Sequence, residues 1–132
     1  MTDIATLNDN FRKSFIGGEV LLSAGIAAMS SEDKANIVSL VQNFDNFTPD
    51  NNPYSENDSG TFDYKGEKIL WKIDYYDINN KYHSEDPSNP DITNRVLTIM
   101  TVYEYYTQTI KLVVWPYTHS LILLIDCKSF FS

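Results

Sequence analysis

The sequence predicts an α+β fold: two N-terminal helices packed on an antiparallel β-sheet of about five to six strands. Three observations carry that expectation. Apolar residues recur at three- and four-residue steps near the N-terminus, alternate with polar ones between Lys68 and Asp74, and run almost unbroken from Arg95 to Tyr105. A chain of 132 residues suits one domain, 1–132, large enough to bury a core without staples.

Each element has its own signal. Ile4, Leu7, Phe11 and Phe15 form one helical stripe, with Arg12 and Lys13 in the last turn and Gly17-Gly18 as a stop. Glu19–Ala24 reads as a short strand ended by Gly25. A second helix opens at Ser30, with Asp33 three residues on, and buries Ile37, Leu40, Val41 and Phe44. Asp45–Gly60 is rich in Asn, Asp, Pro and Ser, which is loop chemistry. Thr61–Tyr64, the turn Lys65-Gly66 and Lys68–Asp74 make a hairpin with Ile69, Trp71 and Ile73 on one face. Tyr75–Thr93 is a long connection, and connections of that length are usually functional. Arg95–Tyr105 is the clearest long strand and, apolar on both faces at its centre, interior to the sheet. Two more strands follow around Pro116–His119. Lys111, Pro116, His119 and Ser120 interrupt the apolar tail, so it falls short of the ~18–20 residues that span a bilayer.

Charge excludes some functions. The net is −8, with no basic run, which argues against direct binding of nucleic acid. The imbalance is local: residues 45–91 hold eleven acids and four bases, net −7. A one-sided field of this kind steers a basic partner or stands in for a polyanion. The single Cys127 permits no internal disulfide, and no signal-peptide pattern opens the chain, so the expected location is cytoplasmic.

The densest cluster is WKIDYYD, Trp71–Asp77, where a strand enters the long loop. Tyrosines offer rigid contact area at low entropy cost, so Tyr75 and Tyr76 are the expected anchors of a binding surface. Asp50, Glu56, Asp58, Asp74, Asp77, Glu85 and Asp86 are its expected carboxylates. As catalysts the pair Asp74 and Asp77 is weak, since residues three apart in extended chain face opposite ways. The acids are hard ligands for calcium or magnesium, yet Pro53 and Tyr54 break the calcium-loop spacing. His83 and His119 have no ligand spacing, and no glycine-rich phosphate loop is present. No metal or cofactor is expected, and the reading leans against an enzyme.

In order along the chain come Asn8–Met29 (NDNFRKSFIGGEVLLSAGIAAM), Phe44–Gly60, WKIDYYD and Ser84–Met100 (SEDPSNPDITNRVLTIM). This succession resembles a bacterial family known as domain of unknown function 3768, over most of residues 4–105, leaving 107–132 as an apolar hairpin or extension. WKIDYYD and RVLTIM carry most of the likeness. The resemblance implies a small cytosolic protein of plasmids and other mobile elements, and supplies no catalytic residue. The family pattern places His, Asp and Phe before a Gly where this chain has Asn57, Asp58 and Ser59 ahead of Gly60.

The expectation is therefore an acidic binding protein: a mobile-element inhibitor or polyanion mimic. Its partner would be a basic protein, a nucleic-acid-handling enzyme such as a restriction or CRISPR effector. Two alternatives stand beside it. One is a metal-dependent hydrolase using Asp58, Asp74 and Asp77 with Arg95 orienting substrate; the other is a regulatory subunit that dimerises through the apolar tail.

Overall fold

The computed structural model describes residues 3–108 and 110–115, with the backbone of 122–124. The turn at Pro116–His119, the side chains of the tail and Cys127 lie outside the described residues.

Helix α1 (Ile4–Ser14) starts where the Asp3 side chain accepts from the Thr6 amide at 2.7 Å. Its stop is not a glycine. Phe15 takes the left-handed conformation (φ 59°) and returns its N–H to the Phe11 carbonyl, and Gly17 (φ 104°) only then turns the chain into β1 (Gly18–Ser23). Gly25 does not break the chain either. Ser23 caps a single helical turn, α2 (Ala24–Ala27), accepting from the Ile26 amide. Helix α3 (Ser31–Gln42) is capped by Ser30 as its sequence predicts, but it buries Ile37, Val38 and Val41 and leaves Leu40 44% exposed.

The hairpin joins β2 (Ser59–Tyr64) to β3 (Glu67–Tyr76) through Lys65 (φ 48°) and Gly66 (φ 84°), the paired positive angles of a type I′ turn. Strand β4 (Asn94–Thr101) is shorter than its apolar run. At Val102 the chain turns into α4 (Val102–Thr107), because Thr101 and Glu104 form a reciprocal capping box. Strands β5 (Lys111–Val114) and β6 (Ile122–Leu124) complete the sheet.

The sheet has six strands in the order β2-β3-β4-β1-β5-β6, and it is mixed. The fold is α+β, but the expectation of an antiparallel sheet fails at one pairing: β1 runs parallel to β4, Val20 opposite Leu97, with α2, α3 and the β2–β3 hairpin between them in sequence. Two strands far apart in the chain leave no local signal of their relative direction. Strand β4 is interior, as its sequence predicts, with a neighbour on each side. One sheet face, carrying Leu22, Trp71, Ile73 and Leu97, shares a buried cluster with Phe11 of α1 and Ile37 and Val41 of α3. The opposite face gathers Leu21, Val96, Met100, Ile110 and Leu112. Each such side chain contributes about 1.5–3 kcal/mol on burial. Gly60 is required between Phe44 and Trp71, since a Cβ there would lie 2.5 Å from the Phe44 ring edge.

Candidate functional site

The two acidic connections, residues 45–58 and 77–93, are both tied to a buried polar cluster beneath α1. Arg95, 3% exposed at the start of β4, donates from Nε to Asn8 Oδ1 at 2.8 Å and from a terminal nitrogen to the Pro87 carbonyl. Asn8, wholly buried on α1, donates through Nδ2 to the Glu56 carbonyl at 2.9 Å and to the Tyr75 hydroxyl at 2.8 Å. The Arg95 guanidinium also lies over the Tyr75 ring, 5.3 Å from its centroid. One loop is thus fastened through Glu56 and the other through Pro87, by side chains that touch each other.

Further bonds hold each loop internally. Asn52 and Asn57 bond reciprocally at 2.7 and 2.9 Å, and Asn57 Nδ2 reaches Asp9 Oδ2 at 3.1 Å. Asn57 thus tethers the loop to α1. Arg12, also buried, bonds Asp9 at 2.9 Å and the Phe44 carbonyl at 3.0 Å while its guanidinium lies over Trp71 and Phe47. In the second loop the buried hydroxyls of Ser84 and Thr93 meet at 2.6 Å, and Thr93 donates to the Asp86 carbonyl at 2.9 Å. Asn94 gathers Asp77, Ile78 and Asn80.

The residues singled out in the sequence divide into three groups. Tyr75 is 7% exposed and belongs to the buried cluster, and Tyr76 is half-buried on the opposite sheet face, so neither is an exposed anchor. Alternation along β3 sends them to opposite sides. Asp77 Oδ1 accepts from the amides of Asn79 and Lys81, and Asp86 Oδ1 from Ser88, so both close turns. Asp50 and Glu85 are exposed, one on each loop. Glu56 sits beside the Tyr75 hydroxyl at 3.4 Å; burial, and then Asp58, pushes its carboxyl pKa up. Asp58 and Asp74 stand apart, in a groove on the opposite face.

The exposed tyrosines of the loops are other residues. Tyr54 is 85% exposed on the first loop, and Tyr82 is 73% exposed on the second, which also exposes Ile78. Tyr54, Glu56 and Ser88 line a cleft of about 390 Å³ with the start of α1, so the loops share one surface. Tyr54 had a readable signal: between Pro53 and Ser55 it belongs to no apolar period and has no core to enter. Tyr82 is likewise outside any period.

The hydrolase alternative finds little geometry. Among the described residues, no three of His, Cys, Asp or Glu form a group that could hold a metal ion. Arg95 is spent on Asn8, Pro87 and Tyr75 rather than turned to a substrate. No helix is long and apolar enough to cross a membrane among the described residues.

Fold and surface together define a small α+β protein whose two fastened acidic loops present exposed tyrosines. The chain belongs to the family described as a protein of unknown function, DUF3768, whose model matches residues 22–104. That match runs from the last two residues of β1 to the capping box at α4 and includes both loops, leaving α1 outside it. No curated protein and no solved structure matches the chain.

Proposed function

We propose that this is a binding protein that presents the two-loop surface to a basic protein partner. The observation that carries the reading is the pairing of charge with exposed aromatic area on loops fastened by one buried cluster. Residues 45–58 hold four acids and no base, and residues 77–93 hold four acids and one base. A potential of one sign speeds encounter with a basic surface, and Tyr54 and Tyr82 supply rigid contact area once it is reached. Fastened loops lose less entropy on binding than free ones.

In its finer form the partner is a nucleic-acid-handling enzyme, and the carboxylates occupy the place of backbone phosphates on it. Such an enzyme carries a basic channel already shaped for a polyanion. Affinity capture from host lysate tests this, comparing the parent chain with Asp50→Asn/Glu85→Gln. The reading expects a basic nucleic-acid-handling protein retained by the parent chain and released at lower salt from the variant. Equal retention by the two chains, or capture of no basic protein, would refute it.

A further inference from the structure

Strand β2 closes one end of the sheet, and its outer edge is open. It pairs with β3 in unbroken register from Ser59–Lys72 to Tyr64–Glu67, and the Ile73 amide extends the ladder to the Asp58 carbonyl. Hydrogen-bonding direction alternates along an antiparallel strand. Residues 58, 60, 62 and 64 therefore face β3, while Ser59, Thr61 and Asp63 turn their backbone N–H and C=O groups outward. No hydrogen bond among the described residues reaches those outward groups. Edges of this kind are ordinarily blunted by proline, a bulge, an inward-pointing charge or a covering segment. Strand β2 has no proline and no bulge, and its one charge, Asp63, has a 78% exposed side chain. On one face Phe62 and Tyr64 pack only partly against the core; on the other Thr61 and Asp63 are exposed.

We infer that β2 pairs antiparallel with β2 of a second copy of this chain, about a two-fold axis at Phe62, joining the two sheets into one. Charge selects this occupant. The chain carries −8, yet residues 59–72 hold three bases (Lys65, Lys68, Lys72) and two acids (Asp63, Glu67). A basic partner is drawn to the loops, whereas two acidic copies meet with least repulsion at this hairpin. The strand is also self-complementary. With the axis at Phe62, the outward groups of Thr61 meet those of the second copy's Asp63, which sets a hydroxyl opposite a carboxylate. The two Phe62 rings then face each other, and Tyr64 faces Gly60, which has no side chain to obstruct it. An axis at Asp63 would oppose two like charges, and one at Thr61 would part the Phe62 rings. The pairing leaves the loop surface free and is independent of the function proposed for it.

Sedimentation equilibrium over a concentration series tests the pairing, and the parent chain is expected to dimerise reversibly. Thr61→Lys sets a cation opposite Asp63 at both symmetry-related positions and is expected to tighten the dimer about threefold. Thr61→Asp sets like charges there and is expected to weaken it about tenfold. Thr61→Pro removes an outward N–H that no intramolecular bond uses, so it is expected to abolish the dimer while the chain stays folded. If that variant does not fold, the two charge variants decide, since Thr61 is exposed and both leave the core untouched. A parent chain that is monomeric at every concentration would overturn the inference. So would a dimer undisturbed by Thr61→Asp or by folded Thr61→Pro, or one weakened equally by Lys and Asp at position 61.

Discussion

Arg95 donates its Nε proton to Asn8 Oδ1 at 2.8 Å, joining the first residues of β4 to the middle of α1 across 87 positions of chain. Because Asn8 also holds the Glu56 carbonyl and Arg95 the Pro87 carbonyl, one buried contact fastens both acidic loops. A buried hydrogen bond to a charged group contributes about 1.5–3 kcal/mol, and orphaned partners add their desolvation cost.

Arg95→Met is therefore expected to lower stability by about 2–4 kcal/mol. Its distinctive sign is that amide hydrogen exchange rises in residues 45–58 and 77–93 together while the centres of β3 and β4 stay protected. Urea unfolding and exchange mass spectrometry measure the two effects. Faster exchange in only one loop would show that Arg95 does not couple them.

Glu104 performs the corresponding task at the other end of β4. Its Oε1 accepts from Ser23 Oγ at 2.6 Å and from the Thr101 amide and hydroxyl at 3.0 and 2.9 Å, and its Oε2 from the Gly25 amide at 3.0 Å. Glu104→Ala leaves these donors without their acceptor and is expected to cost about 2–4 kcal/mol. Tyr103→Ala, on the same helix but 74% exposed, is expected to change stability by less than about 0.5 kcal/mol. Denaturant midpoints of the two variants distinguish these cases.

Glu56, Asp58 and Asp74 share an unusual pH dependence. Burial is the leading cause of the upward shift in all three. The folded state then binds protons more tightly than the unfolded one, so these groups make stability fall as pH rises from about 4, the unfolded carboxylate value, through their raised folded values. Asp58→Asn removes one of these titrations. Its stability relative to the parent chain is expected to be more favourable at neutral pH than in mild acid, as urea midpoints over that range would record. The reverse trend would contradict the burial argument.

Much of this was legible in the residues. The Ser30 cap, the Lys65-Gly66 turn and the alternation of Ile69, Trp71 and Ile73 are local patterns, and each appears where its chemistry predicts. The Thr101-x-x-Glu104 capping box was equally local, but the apolar run into Val102 masked it. The parallel β1–β4 pairing and the Arg95–Asn8 contact are different in kind, since both join distant segments and have no neighbourhood pattern. The loops are legible from composition, but exposure within them is not: Tyr75 and Tyr76 continue a strand period and are drawn inward, and Tyr54 and Tyr82, outside any period, stay exposed.

Tyr54→Ser/Tyr82→Ser tests the central claim most directly, because both side chains are exposed and their loss leaves the core intact. Quantitative capture from host lysate at ~0.05 and ~0.3 M salt would compare it with the parent chain and with Tyr103→Ser/Tyr106→Ser, which alters exposed tyrosines of α4 instead. The account predicts a basic protein held by the parent chain and by the α4 variant, weakened by salt, and lost at least tenfold from the loop variant at unchanged unfolding midpoint. Capture undiminished in the loop variant, or lost only in the α4 variant, would contradict it.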